Sequence, residues 1–178
     1  MELRQAIAER RSIRKYKPGM TITKDQLADI ISCAGEAPTW KNSQTGRYYV
    51  ALSEEAMNKV REGLPEFNAN NTINACALII TTFEMKRSGF TREGVAENEL
   101  GDQWGAYDLG LQNENLVLRA RDIGYDTLIM GIRDSEVLRA NFNIPESQQI
   151  VSVIAIGVKE DTVPMPKRKE IDSVMKVF

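Results

Sequence analysis

Residues 102–131 read DQWGAYDLGLQNENLVLRARDIGYDTLIMG. The spacing of their apolar side chains predicts the longest helix of the chain, from about Asp102 to Ile123, with Gly124 ending it. One stripe carries Trp104, Tyr107, Leu111 and Leu118; a second carries Leu109, Leu116, Ala120 and Ile123. A helix that is apolar on two sides is buried on two sides. In a chain of 178 residues, one of those sides is open to a second subunit. DTLIMG (126–131) follows as a strand candidate.

The same pattern continues outward from this stretch. CALIITTF (76–83) and QQIVSVIAIG (148–157) are apolar runs of strand length, as fully buried strands are. RYYVAL (47–52) is a further strand candidate. Helices are expected over 2–11, after Thr23, after Ser53 and over 135–142 behind Asp134. Thr23 and Gln26 have capping-box spacing, and Leu27, Ile30, Ile31 and Ala34 follow at helical intervals. RSIRKYKPG (11–19) reads as extended, closing in a Pro18-Gly19 turn. Residues 84–100 are polar and glycine-containing, a loop or lid. The tail carries two prolines and should run over a surface. Without repeat or linker, residues 1–178 read as one domain.

Composition excludes several function classes. The chain has no histidine, so a Ser-His-Asp triad, a Cys-His dyad and a His-ligated metal are all ruled out. No metal site is expected. Acid–base work falls to Asp, Glu, Lys, Tyr or a cofactor. Twenty-three basic and 25 acidic residues leave a net charge of −2, which speaks against nucleic acid as a partner. No apolar run reaches the length of a membrane span, and the N-terminus has no apolar signal core. Cys33 and Cys76 lie in apolar runs without CxxC spacing, which fits buried thiols and a cytoplasmic location.

Four clusters are candidates for chemistry. Arg10, Arg11, Ser12, Arg14, Lys15 and Lys17 form a basic stretch. Alternation in an extended segment puts Arg10, Ser12 and Arg14 on one side, a donor set that suits a phosphate. A solvated charged run gives the same spacing. APTWKNSQTGRYY (37–49) is rich in amides, which can read the edge of a heterocycle. Extended backbone there sends Asn42 and Gln44 to one side; a polar surface loop is the alternative. Asn68 and Asn71 in FNANN lie one helical turn apart, either as a site or as turn and cap chemistry. PKRK (166–169) is a basic element that could close on the N-terminal arginines. Neither GxGxxG after a strand nor a P-loop is present.

In this order and at these separations the clusters resemble the nitroreductase family of FMN-dependent oxidoreductases, over nearly the whole chain. RRSIRKY is similar to the family's Arg-x-Ser-x-Arg/Lys phosphate motif, and APTWKNSQTGRYY to its Ala-Pro-(Ser/Thr)-x-x-Asn-x-Gln-Pro-Trp-Arg-Phe segment. WGAYDLGLQNENLVLRARDIGYDTLIMG and VPMPKRKEIDSV match the long-helix and C-terminal elements. The resemblance implies an α+β fold: a central, mainly antiparallel sheet flanked by helices, in an intertwined homodimer with two FMN sites at the interface. It implies that Arg10, Arg11, Ser12 and Arg14 hold the FMN phosphate and the N1–O2 edge, with Arg168 and Lys167 completing the clamp. Pro38, Thr39 and Trp40 would come from the other subunit and pack on the isoalloxazine, and Asn42 would also bind the cofactor. Asn68 and Asn71 would meet the pyrimidine edge, and the amides near Met130 and Gly131 would face N5.

The implied activity is ping-pong electron transfer from NADH or NADPH through FMN to a small acceptor such as a nitroaromatic or quinone. Arg14 would stabilise the reduced flavin near N1. The same fold also supports flavin fragmentation, reductive dehalogenation, or flavin binding without turnover. Two departures stand out. Thr45-Gly46 replaces the family's Pro-Trp, and Asn71 stands where some members keep a lysine.

Overall fold

The computed structural model describes residues 1–178. The chain begins with α1 (Leu3–Glu9), α2 (Lys24–Gly35), β1 (Gly46–Ala51), α3 (Glu54–Glu62), α4 (Glu66–Asn70) and β2 (Ala77–Glu84). A long loop leads to α5 (Gln103–Asp122), β3 (Asp126–Met130), α6 (Ser135–Phe142) and β4 (Gln148–Gly157). Short 3-10 turns lie at Trp40–Asn42 and Ile171–Ser173.

The strands form one sheet in the order β1-β2-β4-β3, with every pair antiparallel. Side-chain alternation then makes two cores. Leu78 and Ile80 of β2, with Val153 and Ala155 of β4, face Met57 and Val60 of α3 and Leu138 of α6. Ala77, Ile79, Ile154 and Ile156 face Leu27 and Ile30 of α2 and Leu116, Val117 and Ala120 of α5. The two central strands are therefore buried on both faces, which is why they read as unbroken apolar runs. The architecture is α+β, a helix–sheet–helix sandwich.

Local signals set the ends of the helices. The Thr23 hydroxyl accepts from Gln26 N–H at 3.1 Å, and Thr23 N–H donates to Gln26 Oε1 at 2.9 Å, a complete capping box. At α3 and α6 only the cap itself forms: the Ser53 hydroxyl accepts from Ala56 N–H, and the Asp134 carboxylate from Glu136 and Val137 N–H. At the end of α5, Tyr125 N–H reaches Ala120 O at 2.8 Å and Gly124 N–H reaches Arg121 O at 3.2 Å. This is a Schellman motif, and the +94° φ of Gly124 is the left-handed turn it needs.

The N-terminal segment runs extended along β3. Ile13 N–H donates to Thr127 O at 3.0 Å and Lys17 N–H to Val158 O at 2.8 Å. Ile13 and Tyr16 point into the core, while Ser12 and Arg14 point outward. Only one side of α5 is covered. Leu109, Leu116, Val117 and Ala120 are buried, whereas Tyr107 is 58% exposed and Leu111 and Leu118 are half-buried. Residues 160–178 lie exposed along the surface. No helix is long and apolar enough to cross a membrane.

The charge inventory predicts a particular pH response. A hydrogen bond from Arg121 holds the Glu9 carboxyl below its ordinary value, and one from Lys41 does the same for Glu97. A carboxyl whose pKa is lower in the folded state stabilises above its unfolded pKa. That contribution is lost as pH falls through the folded value. With no histidine, nothing comparable titrates between about pH 5.5 and 7. The urea midpoint should therefore be flat across that window and fall only in the carboxylate range; a slope near pH 6 would contradict this.

Candidate active site

The arginine stretch of the N-terminus becomes a cavity. Arg10, Arg11, Ser12 and Arg14 line a space of about 360 Å³ with Val163, Pro164, Pro166 and Arg168. The tail thus folds back over the extended segment and brings Arg168 to the other arginines. Four guanidiniums and a hydroxyl meet there with no carboxylate in the lining, and none of the four arginines is in an ion pair. The carboxylate alongside is Asp161, which lines an adjoining cavity with Ser12, Arg14 and Lys15.

The four arginines are not equivalent. Arg11 Nη1 donates to Ala8 O and Arg10 O, both at 2.7 Å, so its guanidinium is committed to the end of α1. Arg14 makes one long bond of 3.4 Å to Ser12 O, and Arg168 one of 3.3 Å to Pro166 O. These two, with Arg10, keep most of their donors free. Lys167 is exposed and does not line the cavity, so Arg168 stands there without it.

From this cavity the edge of the sheet leads to a second group. Ser12 bridges Thr127, and β3 runs on to Met130 and Gly131. Four residues of strand span roughly 13 Å. The turn after β3 is held by its carbonyls. Asn68 Nδ2 donates to Ile132 O at 3.0 Å across 64 residues of sequence. Arg133 donates to Gly131 O at 2.8 Å and to Ile150 O. Burial holds the Arg133 guanidinium below the ordinary arginine value. Asn68 is buried and acts on the backbone through its amide nitrogen, while Asn71 is the half-buried residue that ends α4.

The Trp40 segment corrects one expectation. It is not extended: Lys41, Asn42 and Gln44 have φ of 47°, 55° and 48°, left-handed values that turn the chain sharply. Asn42 and Gln44 still meet, because Gln44 Nε2 donates to Asn42 Oδ1 at 3.1 Å, but the turn rather than alternation joins them. Pro38 is exposed, and the Thr39 hydroxyl accepts from Gln44 N–H at 3.1 Å.

Two carboxylates that the sequence reading missed clamp this turn. Trp40 N–H donates to Asp108 Oδ2 at 2.9 Å, and the Ser88 hydroxyl donates to the same oxygen. Glu97 accepts from Lys41 Nζ at 2.7 Å on both oxygens and from Trp40 Nε1 at 3.3 Å. The Trp40 ring lies 4.7 Å from that of Trp104. The advance signs of Asp108 were its charge beside the inward stripe of α5 and its place in the stretch that resembles the family's long-helix element; neither points to the Trp40 turn. Trp40 and Asn42 line a different cavity from the arginines, and the two linings share no residue. The single chain does not bring these two groups together.

Comparison with known proteins agrees with this architecture. The Bacillus subtilis protein YdgI, whose name assigns it provisionally to the NAD(P)H nitroreductases, is 28% identical over 193 residues, covering 93% of this chain and 92% of its own. A crystal structure from Exiguobacterium sibiricum, solved in complex with FMN, superposes with a TM-score of 0.83 at 24% identity, covering 100% of this chain and 98% of that one. The fatty-acid enone reductase CLA-ER superposes with a TM-score of 0.86 at 21% identity, covering 99% and 97%. At these identities the two structures speak to the fold alone. The Nitroreductase family model matches residues 7–158, most of the chain. By that match, and in keeping with its antiparallel sheet between two helical layers, this chain belongs to the nitroreductase family.

Proposed function

We propose that this protein is an FMN-dependent oxidoreductase that moves electrons from NADH or NADPH to small organic acceptors, nitroaromatics and quinones among them. The observation that carries the reading is the carboxylate-free cavity of Arg10, Arg11, Ser12, Arg14 and Arg168. Guanidinium forks and a hydroxyl fit a dianionic phosphate in both charge and geometry. The names of the relatives point the same way.

In this reading Arg10, Ser12, Arg14 and Arg168 bind the phosphate, and Arg14 also reaches the N1–O2 edge of the ring. Arg11 fixes the backbone that presents them. Asn68 and Arg133 are positioning residues. By tying the carbonyls of Gly131 and Ile132, they hold the amides near Met130 and Gly131 toward the N5 side. Asn71 faces the pyrimidine edge. When bound, FMN supplies the two-electron chemistry, and the protein supplies orientation and charge. Lys167 lies outside the lining of the arginine cavity.

The second half of each site comes from a partner copy in a homodimer. Pro38, Thr39, Trp40 and Asn42 of one subunit complete the site formed by Arg10–Arg14 of the other. The uncovered side of α5, with Tyr107, Leu111 and Leu118, supplies apolar surface for that contact. Residues 1–178 act as one domain, and the two free cysteines fit a reducing, cytoplasmic setting.

The test is the visible spectrum of the purified protein, before and after anaerobic NADH and NADPH. A flavin spectrum that bleaches with nucleotide is expected, at a sedimentation mass of twice the 20.0 kDa chain. A colourless protein that takes up no added FMN overturns the reading.

A further inference from the structure

The loop between β2 and α5 is a built structure. Lys86 takes a left-handed φ of 56°, and its N–H donates to the Asp102 carboxylate. Ser88 is buried, with its hydroxyl on Asp108. Thr91 N–H donates to Val95 O and Glu97 N–H to Gly89 O, both at 2.8 Å, which folds residues 89–97 into a small hairpin. This hairpin and the Trp40 turn enclose a cavity of about 560 Å³.

The lining of that cavity is amphipathic. The rings of Trp40 and Phe90 give it apolar faces, and Lys41, Lys86, Arg87 and Arg92 give it positive charge. Glu97 neutralises Lys41. Lys86, Arg87 and Arg92 form no ion pair. No carboxylate lines the space. Three like charges held by one ordered loop repel one another unless an anion offsets them. Two of the three are guanidiniums, whose planar forks match carboxylate and phosphate.

We propose that this cavity binds the anionic group of an aromatic or nucleotide substrate, with Arg87, Arg92 and Lys86 on the charge and Trp40 and Phe90 against the ring. The inference rests on the proposed function, in which Trp40 borders the flavin; the cavity then opens beside the face where donor and acceptor react. Its substrates are planar molecules bearing a carboxylate or a phosphate. The charge can belong to the acceptor, or to the additional phosphate that distinguishes NADPH from NADH.

Calorimetric titration of the purified protein separates these sources. Two probe pairs differ by one anionic group, and none of the four reduces the flavin: 4-nitrobenzoate against 4-nitrobenzyl alcohol, and NADP+ against NAD+. Each pair is titrated into the native protein and into Arg87→Ala/Arg92→Ala, both sites being exposed. In at least one pair the charged member should bind the native protein about tenfold more tightly, and the double variant should reduce that ratio to about twofold or less. A response of the nitrobenzoate pair alone assigns the charge to the acceptor. A response of the nucleotide pair alone assigns it to the donor.

Equal affinities within both pairs, or a preference that survives the double variant, overturn the proposal. The flavin spectrum of the same protein, taken separately after anaerobic NADH or NADPH, reports on the proposed function. Flavin that bleaches with nucleotide, in a protein without charge preference, sinks the cavity and leaves that function standing. A protein that holds no flavin sinks the function, while the heats of binding still judge the cavity.

Discussion

Arg10→Ala/Arg14→Ala is expected to purify colourless and to bind added FMN at least about a hundredfold more weakly than the native protein. The two side chains supply the donors that the chain itself leaves free in the arginine cavity. A hydrogen bond to a charged group is worth about 1.5–3 kcal/mol, and the lower end applies where water still reaches the pair. Two such losses give about 3 kcal/mol, or a little over two decades in affinity. Arg11→Ala should cost FMN affinity less, because its guanidinium is committed to Ala8 and Arg10 carbonyls. Arg14→Ala alone should also lower the flavin potential, by about 30 mV for each ~1.4 kcal/mol of two-electron stabilisation lost. Fluorescence titration and a dye-equilibrated potential check both. Unchanged affinity in the double variant would mean that these arginines are a solvated face.

What could be read from the residues and what could not divide along physical lines. β2 and β4 were legible because a strand buried on both faces has no polar positions, and their apolar runs are unbroken. The helix caps at Thr23, Ser53 and Asp134 were legible because capping depends on neighbours two or three residues away. The arginine cavity was half legible. Alternation along residues 10–14 is local, but the approach of Arg168 depends on the path of the tail, and that path left Lys167 outside. The Trp40 turn was not legible locally, because three non-glycine residues of positive φ within four positions, Lys41, Asn42 and Gln44, carry no strong local signal. What stabilises them is remote: Asp108 on α5 and Glu97 in the loop, 68 and 56 residues away. Asn68 reads as a ligand-facing amide, and the bond from its nitrogen to the carbonyl of Ile132, 64 residues away, was not legible beside that reading. In each miss, a contact distant in sequence decided a local conformation.

That dependence makes Gly105→Ala the second large effect, and its sign follows from two opposed terms. Alanine is favoured over glycine inside a helix by about 1 kcal/mol. Against this, a Cβ on Gly105 would lie 2.3 Å from Phe83 Cδ2 and 2.5 Å from Phe83 Cε2, where ordinary contact needs more than a further ångström. Phe83 is 3% exposed, so its ring has little room to yield. Overpacking of this kind costs about 1–3 kcal/mol, and with two ring atoms in the way the upper end applies. The net effect should be a loss of about 1–2 kcal/mol, or roughly 2–8 °C in melting temperature for a domain of this size. The consequence reaches the site, because α5 carries Asp108 less than one turn beyond Gly105. Pushing α5 off β2 draws that carboxylate away from Trp40 N–H and Ser88. Gly105→Ala should therefore speed tryptic cleavage at Lys41, Arg87 and Arg92 under conditions where the protein remains folded. A lowered melting temperature with an unchanged cleavage pattern would show that α5 supports the sheet but does not hold the Trp40 turn.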